Sequence, residues 1–226
     1  MATMTQGTAE TVASRLAGVR DRVEGAGRDP DTVRIVAVTK GWGPDTVSAA
    51  LAAGLSDVGE NYAQELLAKA GAAPSPIRWH FLGPVQRNKV SRLAPLVRTW
   101  HGVDRPVAAD AVAVASPGVE VLVQVNVTGD EGRPGCRPEE VDALVQHCRS
   151  RPVALTGLMT VGPAGDLGRT RECFRWLARQ ARELGLRELS MGMSDDFEVA
   201  VEEGATTLRL GRVLFGPRPR VRTVQR

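Results

Sequence analysis

A single lysine follows an almost uninterrupted apolar run near the start of the chain. Five of the six residues from Val33 to Val38 are apolar, Thr39 comes next, and Lys40 follows it. Most lysines are solvated, but an amine that is partly removed from water has a lowered pKa and becomes nucleophilic. The position of Lys40 therefore makes it a candidate for attack on an electrophile such as an aldehyde.

Two glycine-containing loops near the end of the chain are candidates for an anion site. The first is SMGMSDD at residues 190–196, and the second is RLG at residues 209–211. Glycines let backbone N–H groups approach a ligand closely, and helix N-termini favour anions. The same residues are compatible with plain turns, with Ser194 as the N-cap of a helix that begins at Asp195 and Asp196. The residues alone leave both interpretations open.

A phosphate site combined with a nucleophilic lysine is the equipment needed to bind pyridoxal 5′-phosphate (PLP), which is a phosphorylated aldehyde. The same pair also suits an aldolase or an isomerase that acts on a phosphorylated sugar. Either chemistry requires Lys40 and the two loops to meet in space. The elements between them along the chain must bring this about.

Apolar runs and helical segments alternate along the chain after an N-terminal amphipathic helix, which is expected over residues 7–25. Eight segments are predicted strands: Arg34–Val38, Asp57–Gly59, Ile77–Leu82, Thr99–Val103, Val119–Val127, Val153–Met159, Glu188–Met191 and Thr206–Leu210. Strict alternation indicates a parallel sheet, and eight units indicate a closed (β/α)8 TIM barrel. An open, doubly wound sheet is the alternative. No linker divides the chain, so residues 1–226 are predicted to form a single domain.

Polar side chains follow several of the predicted strands at the point where each strand ends. They include Lys40, Glu60, Asn61, Asn126 and Arg209. The sites of TIM barrels lie at the carboxyl ends of the strands, and the loops after strands seven and eight form the recurrent phosphate site of this architecture. We therefore expect Lys40 and the two glycine-containing loops to share one face of the barrel.

The charge distribution leaves the basic C-terminus open to two interpretations. The net charge is +3, and residues 217–226 carry four arginines and no acid. We expect this basic tail to be solvated rather than to bind nucleic acid, because no aromatic residues alternate with its arginines. An interaction protein that uses the tail and Gln86–Lys89 on an anionic partner is a further alternative.

Cysteine spacing and hydropathy bear on the compartment. Cys136, Cys148 and Cys173 lack the spacing of a zinc site or a disulfide framework, so we expect reduced thiols, no metal and a cytoplasmic protein. No stretch reaches the roughly 18 apolar residues of a membrane span, and residues 1–10 lack the features of a signal peptide.

Several motifs, in order along the chain, carry a family resemblance. They are VAVTK (36–40), VGENYAQE (58–65), WHFLGPVQRNK (79–89), GLM (157–159), and LSMGMSDDFEVAVEEGATTLRLG (189–211) followed by FG (215–216). From about residue 10 to residue 218 the chain resembles the PLP homeostasis protein family, single-domain relatives of the barrel domain of bacterial alanine racemase. The resemblance implies PLP bound to a lysine without established turnover, and a role in vitamin B6 homeostasis.

The resemblance also implies roles for individual residues. It makes Lys40 the Schiff-base lysine, places Asn61 at the cofactor ring, and makes Arg209 the partner of the pyridine nitrogen. The residues that it places around the phosphate are Ser190, Gly192, Ser194, Gly211 and Arg212. It assigns no role to a further set of motif residues, which comprises His80, Gly83, Gln86, Asn88 and Lys89.

Arg209 and Tyr62 bear on whether the protein is an enzyme. A guanidinium, with a pKa above ~12, does not readily protonate a pyridine nitrogen, so the ring is a weaker electron sink, which suits racemisation or carriage better than transamination. Related racemases take a second acid/base, a tyrosine, from an extra β-domain. Tyr62 is the sole tyrosine here, and 15 residues follow Gly211. We therefore expect a PLP carrier, with a racemase-like enzyme as the alternative.

Two positions depart from the family pattern. Arg212 stands where a small hydroxyl residue is usual, and Arg133 stands in place of a lysine after the fifth strand, so an amine that could assist PLP transfer is missing. The expected partners are PLP and, as its recipients, PLP-dependent apo-enzymes, and a monomer is expected. Trp42 is expected either to cover the cofactor or to pack at the rim.

Overall fold

The computed structural model describes residues 8–74 and 76–218, and its centre is a closed barrel of eight parallel strands. Each strand pairs with its neighbours in chain order, and the first pairs with the last through Arg34–Ala37 and Thr207–Leu210. The strands are β1 Arg34–Val38, β2 Asp57–Glu60, β3 Arg78–Phe81, β4 Val97–Val103, β5 Glu120–Gln124, β6 Ala154–Met159, β7 Glu188–Ser190 and β8 Thr207–Leu210. The predicted (β/α)8 barrel is confirmed, and the open-sheet alternative is wrong.

Helices surround the barrel and return the chain from each strand to the next. They are α1 Ala9–Gly25, α2 Asp45–Ala52, α3 Ala63–Ala70, α4 Arg87–Leu93, α5 Pro106–Ala115, α6 Val141–Arg149, α7 Leu167–Glu183, α8 Phe197–Glu202 and α9 Arg212–Phe215. Short 3-10 turns at Pro30–Thr32 and Pro138–Glu140 precede β1 and α6. The connections are parallel crossovers, which place helices on the outer face of the sheet.

The N-terminal helix forms as its periodicity predicts. The hydroxyl of Thr8 caps α1 by accepting a hydrogen bond of 3.4 Å from the N–H of Thr11. Val12, Leu16, Val19 and Val23 form the buried stripe of the helix. Helix α1 packs against α2, α8 and α9, so it lies where the first and last units of the barrel meet.

The fifth strand is shorter than the sequence predicts. It ends at Gln124 instead of Val127, because the following segment folds back onto it. The N–H of Asn126 donates to the carbonyl of Cys136 at 2.9 Å, and the N–H of Cys136 donates to the carbonyl of Gln124 at 2.9 Å. The N–H of Val125 still donates to the carbonyl of Met159 in β6 at 2.8 Å, and beyond it these bonds hold the loop of residues 125–136 at the carboxyl end of the barrel.

Neither a membrane-spanning helix nor a metal-binding cluster occurs among the described residues. Among residues 8–74 and 76–218, no helix is both long and apolar enough to cross a membrane. Within the same residues, no cluster of three or more His, Cys, Asp or Glu side chains could hold a metal ion.

Cys136, Cys148 and Cys173 are buried and free, and burial raises the pKa of the Cys136 thiol to about 12. Of the basic tail, only Pro217 and Arg218 lie within the described residues.

Candidate cofactor site

A cavity of about 570 Å³ opens at the carboxyl ends of the strands, and we call it the barrel-mouth cavity. Six of the eight predicted site residues line it: Lys40, Asn61, Ser194, Arg209, Gly211 and Arg212. They come from the ends of β1, β2, β7 and β8, far apart in the sequence. The closed barrel brings β1 beside β8, and so brings Lys40 to the two glycine-containing loops.

Lys40 lies in the first turn after β1 and is partly exposed to the cavity. Burial lowers the pKa of its amine, and the positive charges of Arg218 and Arg209 lower it further. The carboxylates of Glu60 and Glu65 oppose this shift but do not overcome it. A larger fraction of the amine is therefore neutral, and nucleophilic, than in a solvated lysine.

Buried charges from β2 and α3 hold the turn that carries Lys40. Lys69 is 4% exposed, and its Nζ donates to the backbone carbonyl of Thr39 at 2.7 Å and to Glu60 Oε1 at 2.5 Å. Glu65 accepts from Lys69 Nζ at 3.1 Å and from the N–H of Gly41 at 2.8 Å. The turn is thus fixed on both sides of Lys40.

Sequence reasoning did not identify Lys69 as part of the site. A signal was present, since Glu65 and Lys69 are four residues apart on one helix, the spacing of an ion pair. Nothing local shows that the amine reaches back to Thr39, 30 positions earlier. That contact depends on how α3 lies against β1.

Arg209 places a buried cation at the floor of the barrel-mouth cavity. Its guanidinium donates to the Ser190 hydroxyl at 2.8 Å and to the backbone carbonyl of Thr160 at 2.7 Å. Burial lowers its pKa to about 10, a shift that nearby Asp196 opposes. The group therefore stays protonated at neutral pH and acts only as a hydrogen-bond donor.

Ser190 and Gly192 do not line the cavity. The Ser190 hydroxyl is fully buried, where it accepts from Arg209 and lies 2.9 Å from Nδ1 of His101. Gly192 has φ +93°, and a Cβ there would lie 2.6 Å from that of Ala200. Ser190 therefore supports Arg209, and Gly192 forms a close-packed turn, while their expected contact with the phosphate stays a prediction.

Ser194 does not cap the helix that follows it, so that interpretation is wrong. Helix α8 begins at Phe197, two residues later than expected, because Asp196 takes the capping position and its carboxylate accepts from the N–H of Met193 at 2.5 Å. The Ser194 hydroxyl instead accepts from the N–H of Val213 at 3.2 Å, in the first turn of α9. Ser194 thereby ties the loop after β7 to the loop after β8.

Arginines form a positive rim around the cavity. Arg212 lines it and forms an ion pair with Asp195, and Arg218, in the segment after α9, also lines it. The Arg218 guanidinium lies 5.3 Å from the ring centre of Trp42, in a cation–π contact. Together with Lys40 and Arg209, these groups make the cavity attractive to an anion.

Trp42 is packed at the rim of the barrel-mouth cavity. It is 7% exposed and its ring centre lies 5.6 Å from that of Phe215. A Cβ at Gly211 would lie 3.6 Å from the Trp42 ring, so the tryptophan lies directly against the loop after β8. It both lines the cavity and packs on α9.

Three of the five motif residues that had no assigned role occupy two different places. Gln86 and Lys89 line a second cavity of about 410 Å³, which also includes Tyr62 and shares Asn61 with the first. His80 is buried inside the barrel, bonded to Asp57 at 2.8 Å. His101 lies beside it, with 2.9 Å between the facing ring nitrogens, and no local sequence pattern predicts that contact.

Arg133 ties two loops together at the mouth. Its guanidinium donates to the carbonyl of Gly162 at 3.2 Å and pairs with Asp130 at 3.2 Å. The neighbouring Pro134 lines the cavity, and its carbonyl accepts from the Gln124 amide at 3.1 Å. Arg133 therefore stabilises the loop of residues 125–136 by contacts that a shorter-reaching amine makes less well.

The arrangement fits PLP on its own chemistry. A partly neutral amine suits an aldehyde, positive rim groups suit a phosphate, and a buried donor-only cation suits an unprotonated ring nitrogen. A cavity of about 570 Å³ falls within the range of small-molecule sites.

Comparison with known proteins confirms the predicted resemblance. The pyridoxal phosphate homeostasis protein of Pseudomonas aeruginosa is 42% identical over 219 residues, which cover 93% of this chain and 95% of the relative. The chain belongs to the pyridoxal phosphate homeostasis protein family. The family's Escherichia coli K12 protein is 34% identical over 227 residues, covering 92% of this chain and 97% of the relative. The alanine racemase N-terminal domain family likewise matches residues 13–219.

Solved structures of other proteins share the barrel architecture. PipY of Synechococcus elongatus, in a structure with PLP bound, is 32% identical with a TM-score of 0.79, covering 91% of this chain and 100% of that one. An alanine racemase of Clostridium difficile has a TM-score of 0.72 at 12% identity, covering 93% of this chain and 57% of that one. At that identity the likeness concerns the barrel fold alone.

Proposed function

We propose that this protein binds PLP covalently at Lys40 and serves in PLP homeostasis as a carrier, without turning over a substrate. The observation that carries the proposal is the placement of Lys40, with its lowered pKa, in one cavity with the buried Arg209. The family relatives named pyridoxal phosphate homeostasis protein and the PLP-bound structure of PipY support it.

Each cavity residue has a role in the proposal. When bound, PLP supplies an aldehyde that reacts with amines and a ring that withdraws electrons. Lys40 is the attachment point, and Asn61 contacts the ring. Gly211 and Ser194 present the loops after β8 and β7 to the phosphate, and Arg212 adds positive charge in place of the usual hydroxyl.

Arg209 limits what the bound cofactor can do. A guanidinium offers only N–H groups, so Arg209 would donate a hydrogen bond to the pyridine nitrogen of bound PLP and would not act as its acid. The sole tyrosine, Tyr62, is 61% exposed and lines the second cavity, so its position does not favour the racemase-like alternative. Carriage of PLP is the function that the cavity supports best.

The chain contains three lysines, Lys40, Lys69 and Lys89, which makes the attachment test sharp. We expect the purified protein with PLP to show the visible absorbance of lysine-bound PLP, and borohydride to fix the cofactor on Lys40. Lys40→Ala should abolish the absorbance, whereas Lys89→Ala, which removes an exposed lysine, should retain it. A fixed adduct on Lys89, or unchanged absorbance in Lys40→Ala, would refute the proposal.

The remaining features of the proposal concern its setting. We propose that residues 1–226 act as one domain, as a monomer in the cytoplasm, and deliver PLP to PLP-dependent apo-enzymes. Sedimentation of the purified protein measures directly whether it is a monomer. Transfer is measured by mixing the PLP-loaded protein with an apo-enzyme and following the recovery of that enzyme's activity, compared with free PLP at the same concentration.

A further inference from the structure

A continuous chain of side-chain hydrogen bonds runs through the barrel interior to Arg209. The Arg209 guanidinium meets the Ser190 hydroxyl at 2.8 Å, and that hydroxyl meets Nδ1 of His101 at 2.9 Å. Nε2 of His101 meets Nδ1 of His80 at 2.9 Å, and Nε2 of His80 meets Oδ1 of Asp57 at 2.8 Å. Four bonds thus connect five side chains without a gap.

This chain of hydrogen bonds crosses the barrel interior from one end of the barrel to the other. Asp57 is the first residue of β2, at the end opposite the cavity, whereas Arg209 lines the cavity near the end of β8. Its five members are all at most 8% exposed. At the end of the barrel away from the cavity, the Arg78 guanidinium donates two hydrogen bonds to the Asp57 carboxylate, of 2.9 and 2.6 Å.

The two side chains at the ends of this hydrogen-bond chain each have one fixed role, as donor or as acceptor. Arg209 can only donate. Burial alone would raise the pKa of Asp57, but hydrogen bonds from Arg78 and His80 outweigh it and hold the pKa well below its usual value. Asp57 is therefore a carboxylate at neutral pH and can only accept.

In the arrangement proposed below, each of the two imidazoles between these ends carries a single N–H proton. Burial lowers the pKa of His101 well below its usual value, and the positive charge of Arg209 lowers it further. A neutral imidazole has one donor nitrogen and one acceptor nitrogen, so each ring must pass a hydrogen bond in a single direction. The Ser190 hydroxyl likewise accepts one bond and donates one.

From this accounting we propose that all four hydrogen bonds point from Arg209 to Asp57, and that Ser190, His101 and His80 are positioning residues for Arg209. Ser190 accepts from Arg209 and donates its O–H to Nδ1 of His101. His101 donates Nε2–H to Nδ1 of His80, which donates Nε2–H to Asp57. Both histidines are therefore fixed as the Nε2–H tautomer.

The direction of the chain has an electrostatic consequence. Every neutral member turns a lone pair toward Arg209 and a proton toward Asp57, so the aligned dipoles stabilise the buried guanidinium. The carboxylate of Asp57 thereby supports a cation on the other side of the barrel. The link to the cofactor rests on the proposed function, in which Arg209 faces the pyridine nitrogen.

Nitrogen-15 NMR of the histidine rings in the protein without PLP tests the chain directly. We expect unprotonated Nδ1 and protonated Nε2 in both His80 and His101 at neutral pH. A protonated Nδ1 in either ring, or an imidazolium at either position, would overturn the proposed direction. Because no PLP is present, this result stands or falls separately from the proposed function.

A pair of variants tests the positioning role. His101→Gln keeps an acceptor for Ser190 and a donor for His80, whereas His101→Leu removes both. We expect His101→Leu to weaken PLP affinity about five- to tenfold, as expected for loss of support to a charged hydrogen-bond donor, and His101→Gln to stay within about twofold. Equal affinity in His101→Leu and the wild type would refute the positioning role. Absence of PLP binding in the wild type would instead refute the proposed function.

Discussion

The buried amine of Lys69 donates a 2.7 Å hydrogen bond to the backbone carbonyl of Thr39, the residue directly before Lys40. The same amine forms an ion pair with Glu60, which is fully buried. Among the described residues, Oε2 of Glu60 has no hydrogen-bond partner, and burial raises the pKa of this carboxyl despite its bonds to Lys69 and Thr39. Glu60 therefore depends on Lys69 to remain charged.

Removal of Lys69 is expected to be strongly destabilising. Lys69→Met leaves Glu60 as an uncompensated buried acid, so the free energy of unfolding should fall by about 3–5 kcal/mol. The double variant Lys69→Met/Glu60→Leu should recover part of this loss, since the unpaired acid is gone. Urea unfolding of the three proteins measures both changes. An unfolding free energy for Lys69→Met within about 1 kcal/mol of the wild-type value would contradict the importance of the buried pair.

The reaction of Lys40 with PLP should depend on pH in a manner that Arg218 controls. Only the neutral amine reacts, so the rate of adduct formation should rise with pH through the pKa of Lys40, which is held below its usual value by burial, Arg218 and Arg209. Arg218→Ala removes one positive charge, so the midpoint of the pH–rate profile should move up. The expected movement is a few tenths of a pH unit, since the rim is exposed to solvent.

Salt and a distant arginine provide the controls for this experiment. About 1 M salt should reduce the difference between Arg218→Ala and the wild type, because screening acts on exposed charges. Arg149→Ala, on α6 and bonded to the carbonyl of Leu184, should leave the midpoint unchanged. A midpoint that moves down in Arg218→Ala would show that this arginine does not repel the Lys40 ammonium.

Gly192 is expected to tolerate no side chain. Gly192→Ala adds a Cβ at φ +93°, 2.6 Å from the Ala200 Cβ and 2.9 Å from Leu208 Cδ2, so we expect a loss of about 1–3 kcal/mol. Gly18→Ala is a matched control on α1, where a Cβ meets nothing within 4 Å. It should stabilise the protein by about 0.5–1 kcal/mol through helix propensity. Chemical denaturation compares the two, and equal effects would refute the packing argument.

The stability contributed by Asp57 should depend on pH. Its pKa is lower in the folded protein than in the unfolded chain, so its contribution is complete above the unfolded value of about 3.9 and is lost as pH falls toward the folded value. The difference in unfolding free energy between the wild type and Asp57→Asn should therefore be largest near pH 7 and shrink below about pH 4. Asp21→Asn, on the exposed face of α1, is the control, and an equal pH trend in both variants would contradict the prediction.

Much of the fold was predictable because each element is amphipathic over a short stretch. The stripe of α1 and the apolar run of β1 carry the periods of a helix and a buried strand, and the count of eight units indicates closure. The errors lie at the ends of elements. β5 stopped early at Gln124 and α8 started late at Phe197, since loop hydrogen bonds there competed with regular pairing.

The sequence by itself determined the barrel, and it predicted the face that carries the candidate site and Lys40 as the candidate reactive amine. Only the tertiary structure decided which side chains support that site: Lys69 behind Thr39, Arg218 above Trp42, and His101 beneath Ser190. The physical reason is that local periodicity records burial and direction, whereas a hydrogen bond depends on the position of both partners. The His101–Ser190 bond joins residues 89 positions apart, and barrel closure alone brings them to 2.9 Å.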